Sequence, residues 1–267
     1  SIAVCALNAR AAFWGCKPQN ATQKGCETQY AAYLGCILTN APYIGCIMSE
    51  KTRKIAVLTG DIVGSTALGP EKLERAFDAL RDCAEMQAEW MGEPLHFTRH
   101  RGDGWQVALA EPKYALRSAL AFRAALRTEG REFDSYMGIA EGDVSGILEE
   151  NLNDQTDTVF AISGQVLDLT KEHEKGHEKG TDFTLTYYPF GSTSACTVLL
   201  DHLSKNWSPT QAAPLLSMLS PLDTPNYTEL AKALGKSRQT IAKSLESSGF
   251  WAIWKALNDI EKEPAHV

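Results

Sequence analysis

The spacing of hydrophobic positions along this 267-residue chain changes several times, and each change marks an element. Ile55-Ala56-Val57-Leu58 is a short apolar run ending at Thr59-Gly60-Asp61, the pattern of a buried strand entering a loop. From Pro70 to about Met91 the period becomes helical. Leu73, Phe77, Leu80, Ala84 and Met91 share one face, and Pro70 stands where a first turn tolerates it. Leu95 to Arg99 and Trp105 to Leu109 flank Arg101-Gly102-Asp103-Gly104, which reads as a hairpin with its tip at Asp103. A second helix is expected from Pro112 to about Thr128, with Ala115, Ala119, Phe122 and Leu126 as its inward stripe and Gly130 ending it. Ser135 to Ala140 is the next strand. The resulting order, β-α-β-β-α-β, is the split βαβ arrangement, in which the first and third strands sit side by side at the sheet centre.

Beyond residue 190 the pattern is purely helical, with short helices expected at about 194–206, 208–219, 226–234, 237–247 and 250–262. Within this stretch Leu230-Ala231, Leu234-Gly235 and Ser237-Arg238-Gln239-Thr240-Ile241 match a helix-turn-helix. Ala231 is small where two helices cross, Gly235 supplies the turn, Ser237 caps the second helix, and Ile241 with Leu245 anchors it. Lys236, Arg238 and Lys243 cluster at that helix with no acid among them, and Arg238 and Gln239 are placed for base edges, so a DNA partner is expected. The alternative is a plain helical hairpin used for dimer packing. Lys236 also replaces the usual apolar residue after the turn glycine, and Ser244 occupies a position that is usually buried.

Composition narrows the classes. With 44% hydrophobic and 22% charged residues the chain is globular, and no apolar run approaches the ~20 residues that span a bilayer, so no membrane role is expected. The net charge of −7 argues against a protein that coats nucleic acid over its whole surface, yet permits one local basic element. Five of the seven cysteines (Cys5, Cys16, Cys26, Cys36 and Cys46) fall in a decapeptide repeat over residues 1–47, leaving only Cys83 and Cys196 elsewhere, a cytosolic pattern. The repeat is either a small unit whose cysteines pair or bind metal, or an upstream extension before a natural start at Met48. The organisation expected is therefore a leader over 1–47, an α+β domain over 48–190 and an all-α helix-turn-helix domain over 191–267.

The chemistry centres on Asp61 and Asp103, which are 42 residues apart in sequence. Brought to one sheet edge they repel unless cations lie between them, and a pair of Mg²⁺ or Mn²⁺ ions is the natural filling. Gly64-Ser65-Thr66, close to a helix start, offers backbone N–H groups suited to a triphosphate. Asp also favours turns and caps generally, which is the competing reading. The run Lys171–Asp182 contains His173 and His177, but Gly176 interrupts it, and a solvated charged loop is expected there rather than a metal site.

Three segments, Thr59-Gly60-Asp61-Ile62-Val63-Gly64-Ser65-Thr66, Arg101-Gly102-Asp103-Gly104-Trp105 and Met137-Gly138-Ile139-Ala140-Glu141-Gly142-Asp143-Val144, resemble the class III nucleotidyl cyclase homology domain across residues 52–172. That resemblance implies a ferredoxin-like βαββαβ sheet with helices on one face, and sites shared between two chains of a homodimer. It also implies two metal ions held by Asp61, Asp103 and the Ile62 backbone carbonyl, and a nucleoside triphosphate approached by Arg99. A fourth segment departs: Asp168 stands where the family has Asn, and Glu172 where it has Arg. Lys171, one residue away, is expected to point about 100° elsewhere. The order of the two modules resembles the SatD-like family of bacterial proteins. Together these imply a cytoplasmic regulator in which a metal- and nucleotide-binding domain modulates DNA binding by the helix-turn-helix. The alternative is an active cyclase, converting NTP to cyclic NMP and pyrophosphate, with a dimerising helical tail.

Overall fold

A computed structural model describes residues 52–100, 102–175 and 183–263, excepting the side chains of 173–175. The decapeptide repeat and His177 lie outside the described residues, as does the side chain of His173. Five strands, β1 (Thr52–Ile62), β2 (His96–Arg99), β3 (Gly104–Leu109), β4 (Ser135–Ser145) and β5 (Leu185–Tyr188), form one sheet in the order β2-β3-β1-β4-β5. β1 pairs antiparallel with both β3 and β4, while β5 joins β4 in parallel after a helical crossover. The fold is mixed α+β. Strand β1 is longer than its apolar run suggests, so Asp61 belongs to its ladder, opposite Gly104 on β3 and Tyr136 on β4.

The two faces of this sheet carry different covers. One face, built from Ala56, Leu58, Trp105, Val107, Met137 and Ile139, packs under α1 (Pro70–Met91) and α2 (Ala115–Glu129). Gly60 lies on this face directly beneath the Trp105 indole, where a Cβ would meet ring atoms at 2.2–2.4 Å. The opposite face, with Ile55, Val57, Ala108, Ala140 and Val144, is closed by α3 (Thr158–Lys175), which contributes Val159 and Phe160. Contact here is close enough to require glycine: a Cβ on Gly138 would lie 2.4 Å from the Leu167 amide nitrogen and 2.5 Å from the Ser163 carbonyl. The expectation of helices on a single face therefore does not hold. α3 folds back over the second face because β4 offers a flat track at Gly138 and Gly142, where Val159 sits.

The remaining helices are α4 (Ser192–Ser204), α5 (Pro209–Met218), α6 (Tyr227–Ala233), α7 (Arg238–Ser247) and α8 (Phe250–Ile260). They share one continuous hydrophobic core with α1 and α2 through Leu200, Trp207, Leu215, Leu219, Ile241, Leu245 and Phe250. This changes the character of α2. The amphipathic stripe expected from its sequence is instead a helix whose residues Ala115 through Arg127 are all buried. Its outer face carries Arg117, Arg123 and Arg127, which are 1%, 0% and 8% exposed.

Charges that deep must be paired, since an isolated buried guanidinium costs several kcal/mol. Arg123 Nη1 meets Asp201 Oδ1 at 2.8 Å, and its Nε lies 3.4 Å from Asp134 Oδ1. Arg127 pairs with the second oxygen of Asp134 and donates to the Lys205 carbonyl at 2.6 Å. Two arginines and two aspartates thus close a neutral set joining α2, the start of β4 and α4. Arg117 fastens the last helix: it pairs with Glu261 at 2.6 Å and donates to Asn258 Oδ1 at 2.9 Å and to the Leu219 carbonyl at 3.1 Å.

Candidate functional site

Asp61 is held from below. Its backbone N–H donates to Ser135 Oγ at 3.1 Å, and the Trp105 indole N–H donates to the same oxygen at 3.0 Å. The β2–β3 hairpin returns to it, with the Ile62 N–H donating to the Asp103 carbonyl at 3.1 Å. The two carboxyls are near enough that each perturbs the other. Burial raises the Asp61 carboxyl above its ordinary value of 3.8; Lys171 opposes the rise and Asp103 adds to it. Asp103 moves the other way, below 3.8, chiefly because the Ser65 hydroxyl donates to its Oδ2. The two carboxyls are thus shifted in opposite directions by their surroundings.

The third charged group is Lys171, whose Nζ lies 2.5 Å from Asp61 Oδ2, with the two side chains 31% and 20% exposed. Its place follows from helical spacing. Ser163, Leu167 and Lys171 stand at i, i+4 and i+8 on the sheet-facing side of α3. Ser163 Oγ contacts Thr59 Oγ1 at 2.7 Å, Leu167 covers Gly138, and Lys171 reaches Asp61. Gln106 Nε2 donates to Thr59 Oγ1 at 2.8 Å, completing a polar ladder under the pair. The expectation that Lys171 points elsewhere is thereby corrected. It assumed that position 172 faces the site, whereas Asp168 and Glu172 lie exposed on the outer side of α3. The close fit at Gly138 sets the helix rotation, and nothing in the local sequence of α3 announces it.

The other expected residues divide. Gly64 adopts a left-handed conformation at φ 62 and leads into a single helical turn, Ser65–Leu68. Ser65 reaches Asp103, Thr66 is exposed, and Ile62 has a buried side chain at the strand end. Arg99 is not brought to the pair. It stands opposite Trp105 on the sheet face under α1, where its guanidinium meets Glu74 at 2.8 Å and lies 3.8 Å above the Phe77 ring. Strand alternation decides this: the residue on the Asp61 side of β2 is Thr98, which accepts from the Leu152 N–H at 2.9 Å.

Two carboxylates near a backbone strand end supply hard oxygen donors, which suit Mg²⁺ or Mn²⁺ with waters or phosphate oxygens completing the shell. Among the described residues no group of three or more His, Cys, Asp or Glu converges, so the pair would supply the only side-chain ligands of those types.

A second exposed surface lies at α6 and α7. The Lys236 N–H donates to the Ala231 carbonyl at 2.9 Å around Gly235, whose φ is 61. Ser237 Oγ accepts from the Thr240 N–H at 3.1 Å and so caps α7. Lys236, Ser237, Arg238, Gln239 and Lys243 are all exposed, while Leu230, Ala231, Ile241 and Leu245 are buried. Trp207 Nε1 donates to the Ser248 carbonyl at 3.1 Å, tying the end of α7 to the core. Among the described residues no helix is long and apolar enough to cross a membrane.

No protein-family model matches the chain, and no curated protein does. Among solved structures it is similar to the guanylyl cyclase Cya2, at 19% identity over 44% of this chain and 73% of that one, with a TM-score of 0.31. It is also similar to two structures of bacterial light-regulated adenylyl cyclases. One is 14% identical over 51% of this chain and 76% of that one, with a TM-score of 0.37. The other is 12% identical over 63% and 57%, with a TM-score of 0.36. The structural neighbours are thus nucleotidyl cyclases, and at these scores the likeness carries no argument about what this chain binds or catalyses.

Proposed function

We propose that the carboxylate end of the sheet binds a nucleoside triphosphate with divalent cations, and that its occupancy modulates DNA binding by the two-helix unit at α6 and α7. The observation that carries this reading is the convergence of Asp61 and Asp103 at the end of β1, where the Ile62 N–H donates to the Asp103 carbonyl at 3.1 Å and the two carboxyls act on each other electrostatically. An acid at a strand end and one at a hairpin tip are held near each other in a half-open position, with Lys171 offsetting only one of the two negative charges, an arrangement that a divalent cation would stabilise. Asp61, Asp103 and the Ile62 carbonyl would hold the cation, which when bound neutralises the pair and draws phosphate oxygens. The Gly64-Ser65-Thr66 turn would face the phosphates, with Ser65 already bonded to Asp103. Arg99 has no part in this site as folded, because Glu74 and Phe77 hold it on the other face.

The route to the second surface is α2. It is enclosed between the sheet and the C-terminal helices, and Arg117 links it directly to α8. A shift at the sheet would therefore be felt by the helices around α7. There Lys236, Arg238 and Lys243 would meet phosphates and Arg238 with Gln239 base edges, in a cytoplasmic homodimer reading two half-sites. Isothermal titration of each of the four NTPs with Mg²⁺ tests the first half: binding to wild type and loss in D61N and D103N is expected, and no heat with any NTP overturns it. A gel shift on DNA upstream of the gene, with and without that NTP, tests the second.

Cyclisation of NTP at the same site is the alternative reading, and the carboxylate pair supports it equally. Asp168 and Glu172, which stand where the resemblance has Asn and Arg, argue against rapid turnover, because they lie exposed on the outer side of α3 and bring no positive charge to stabilise a transferring phosphate. Incubation with each NTP and Mn²⁺, followed by assay of cyclic product and pyrophosphate, separates the two.

A further inference from the structure

We infer that Lys171 is a built-in competitor for the cation site: its ammonium occupies Asp61, and a divalent ion enters only by displacing it. This rests on the cation-binding reading of the same site and concerns its regulation. Lys171 Nζ lies 2.5 Å from Asp61 Oδ2, contact distance for a charge-assisted hydrogen bond and too close for a divalent ion to share that oxygen without repulsion. The contact is placed with some rigidity. The helix turn that carries it is seated on Gly138 through Leu167 and on Thr59 through Ser163, so the lysine stem starts from a packed surface. The ammonium itself remains partly exposed, and a four-carbon stem lets it swing away while α3 stays in place.

The charge balance of the site follows. Asp103 is already satisfied by the Ser65 hydroxyl, and Asp61 by Lys171. Two carboxylates and one ammonium leave a single net negative charge, against two for the bare pair, so a free divalent ion is held weakly. A polyphosphate changes the competition, because it brings negative charge that can accept the released ammonium. Cation binding is then conditional on the nucleotide, and the free protein is kept from accumulating metal.

The test is isothermal titration of MnCl₂ alone into the full-length protein, comparing wild type with K171M, K171Q and K171R. Removing the ammonium is expected to tighten Mn²⁺ binding about tenfold or more in K171M and K171Q, the size expected for one like charge near a half-buried ion. K171R, which keeps the charge, is expected to stay within about threefold of wild type, a difference well under the tenfold that 1.4 kcal/mol represents. D61N should abolish the tight binding of K171M in the double variant. Equal or weaker Mn²⁺ binding in both neutral variants overturns the competition while leaving the cation site standing. Tightening in K171R equal to that in K171M also overturns it, because charge is then not the cause. No Mn²⁺ heat in any of the proteins overturns the cation reading itself and this inference with it. Far-UV circular dichroism of both neutral variants establishes that they fold, and either one suffices for the comparison.

Discussion

Two clusters of opposite charges in this protein look alike on paper and differ in every physical respect. At the junction of α2, β4 and α4, Arg123, Arg127, Asp134 and Asp201 are sealed from solvent, and their charges sum to zero. At the end of β1, Asp61, Asp103 and Lys171 are half open and carry an excess negative charge. The first cluster has nowhere to put a ligand and no charge left to attract one, so its purpose is to lock elements together. The second is incompletely neutralised and reachable, which is the condition a binding site must meet. Burial combined with neutrality fits a structural lock, and partial exposure combined with charge imbalance leaves room for a ligand.

The sharpest way to break this contrast is to remove one partner from each cluster. Arg123→Ala leaves Asp201 buried without a cationic partner and Asp134 with Arg127 alone, and is expected to cost about 3–5 kcal/mol, measured from the shift in the urea unfolding midpoint. Asp103→Asn at the open cluster is expected to cost under about 1 kcal/mol while eliminating cation binding. Equal costs at the two sites would erase the distinction.

The seating of α3 is the next largest effect. Gly138→Val places a side chain where the Leu167 and Ser163 backbones already lie, and a loss of about 1–3 kcal/mol in thermal unfolding is expected. Because the same helix aims Lys171, this variant should also bind Mn²⁺ more like K171M than like wild type. Unchanged stability would show that the helix is not pressed onto β4.

Acid titration resolves the two carboxylates from each other. Asp103 binds protons less readily folded than unfolded, so its contribution is fully present above 3.8 and is lost as pH falls through its lowered value. Asp61 binds them more readily folded, so its contribution is largest below 3.8 and declines as pH rises through its raised value. In unfolding midpoints followed against pH, D103N should flatten the loss below 3.8, and D61N should flatten the decline above it. The same slope in both variants would mean that the pair is not differentiated.

The smallest stability effect is expected at the exposed basic surface. The double variant K236E/R238E should leave stability within about 0.5 kcal/mol of wild type, because neither side chain is buried. It should nevertheless abolish the gel shift, and single Lys→Ala changes should each lower the salt slope of binding by about one. Retained binding in the double variant would move the nucleic-acid surface elsewhere or remove it.

Much of the local architecture was readable from spacing. The helix from Pro70 to Met91, the strands around Asp103 and the five C-terminal helices fall within a few residues of where periodicity, glycines and caps put them. Ser237 was readable as a cap because its hydroxyl serves an amide three residues on, a purely local interaction. The errors share one origin. The α2 sequence shows an amphipathic stripe, but its polar face is filled with arginines that find acids on α4 and just past the end of α8, far along the chain. Arg99 sits near the hairpin in sequence, yet strand alternation sends it to the opposite face, where Glu74 waits. Lys171 reaches Asp61 because the seating of Leu167 on Gly138 sets the rotation of α3, which a count of helical angle from position 172 does not contain.

What the chain determines by itself is the placement of its elements and the positions of two acids, one in a strand and one at a hairpin tip, because hydrophobic period and turn chemistry act over a few residues. Only the tertiary structure decided that these acids meet, that a lysine from a third element neutralises one of them, and that α2 is enclosed. Those outcomes depend on which face of a strand looks up and how a helix is rotated on a glycine track. Both are settled by packing between segments that sequence distance keeps apart.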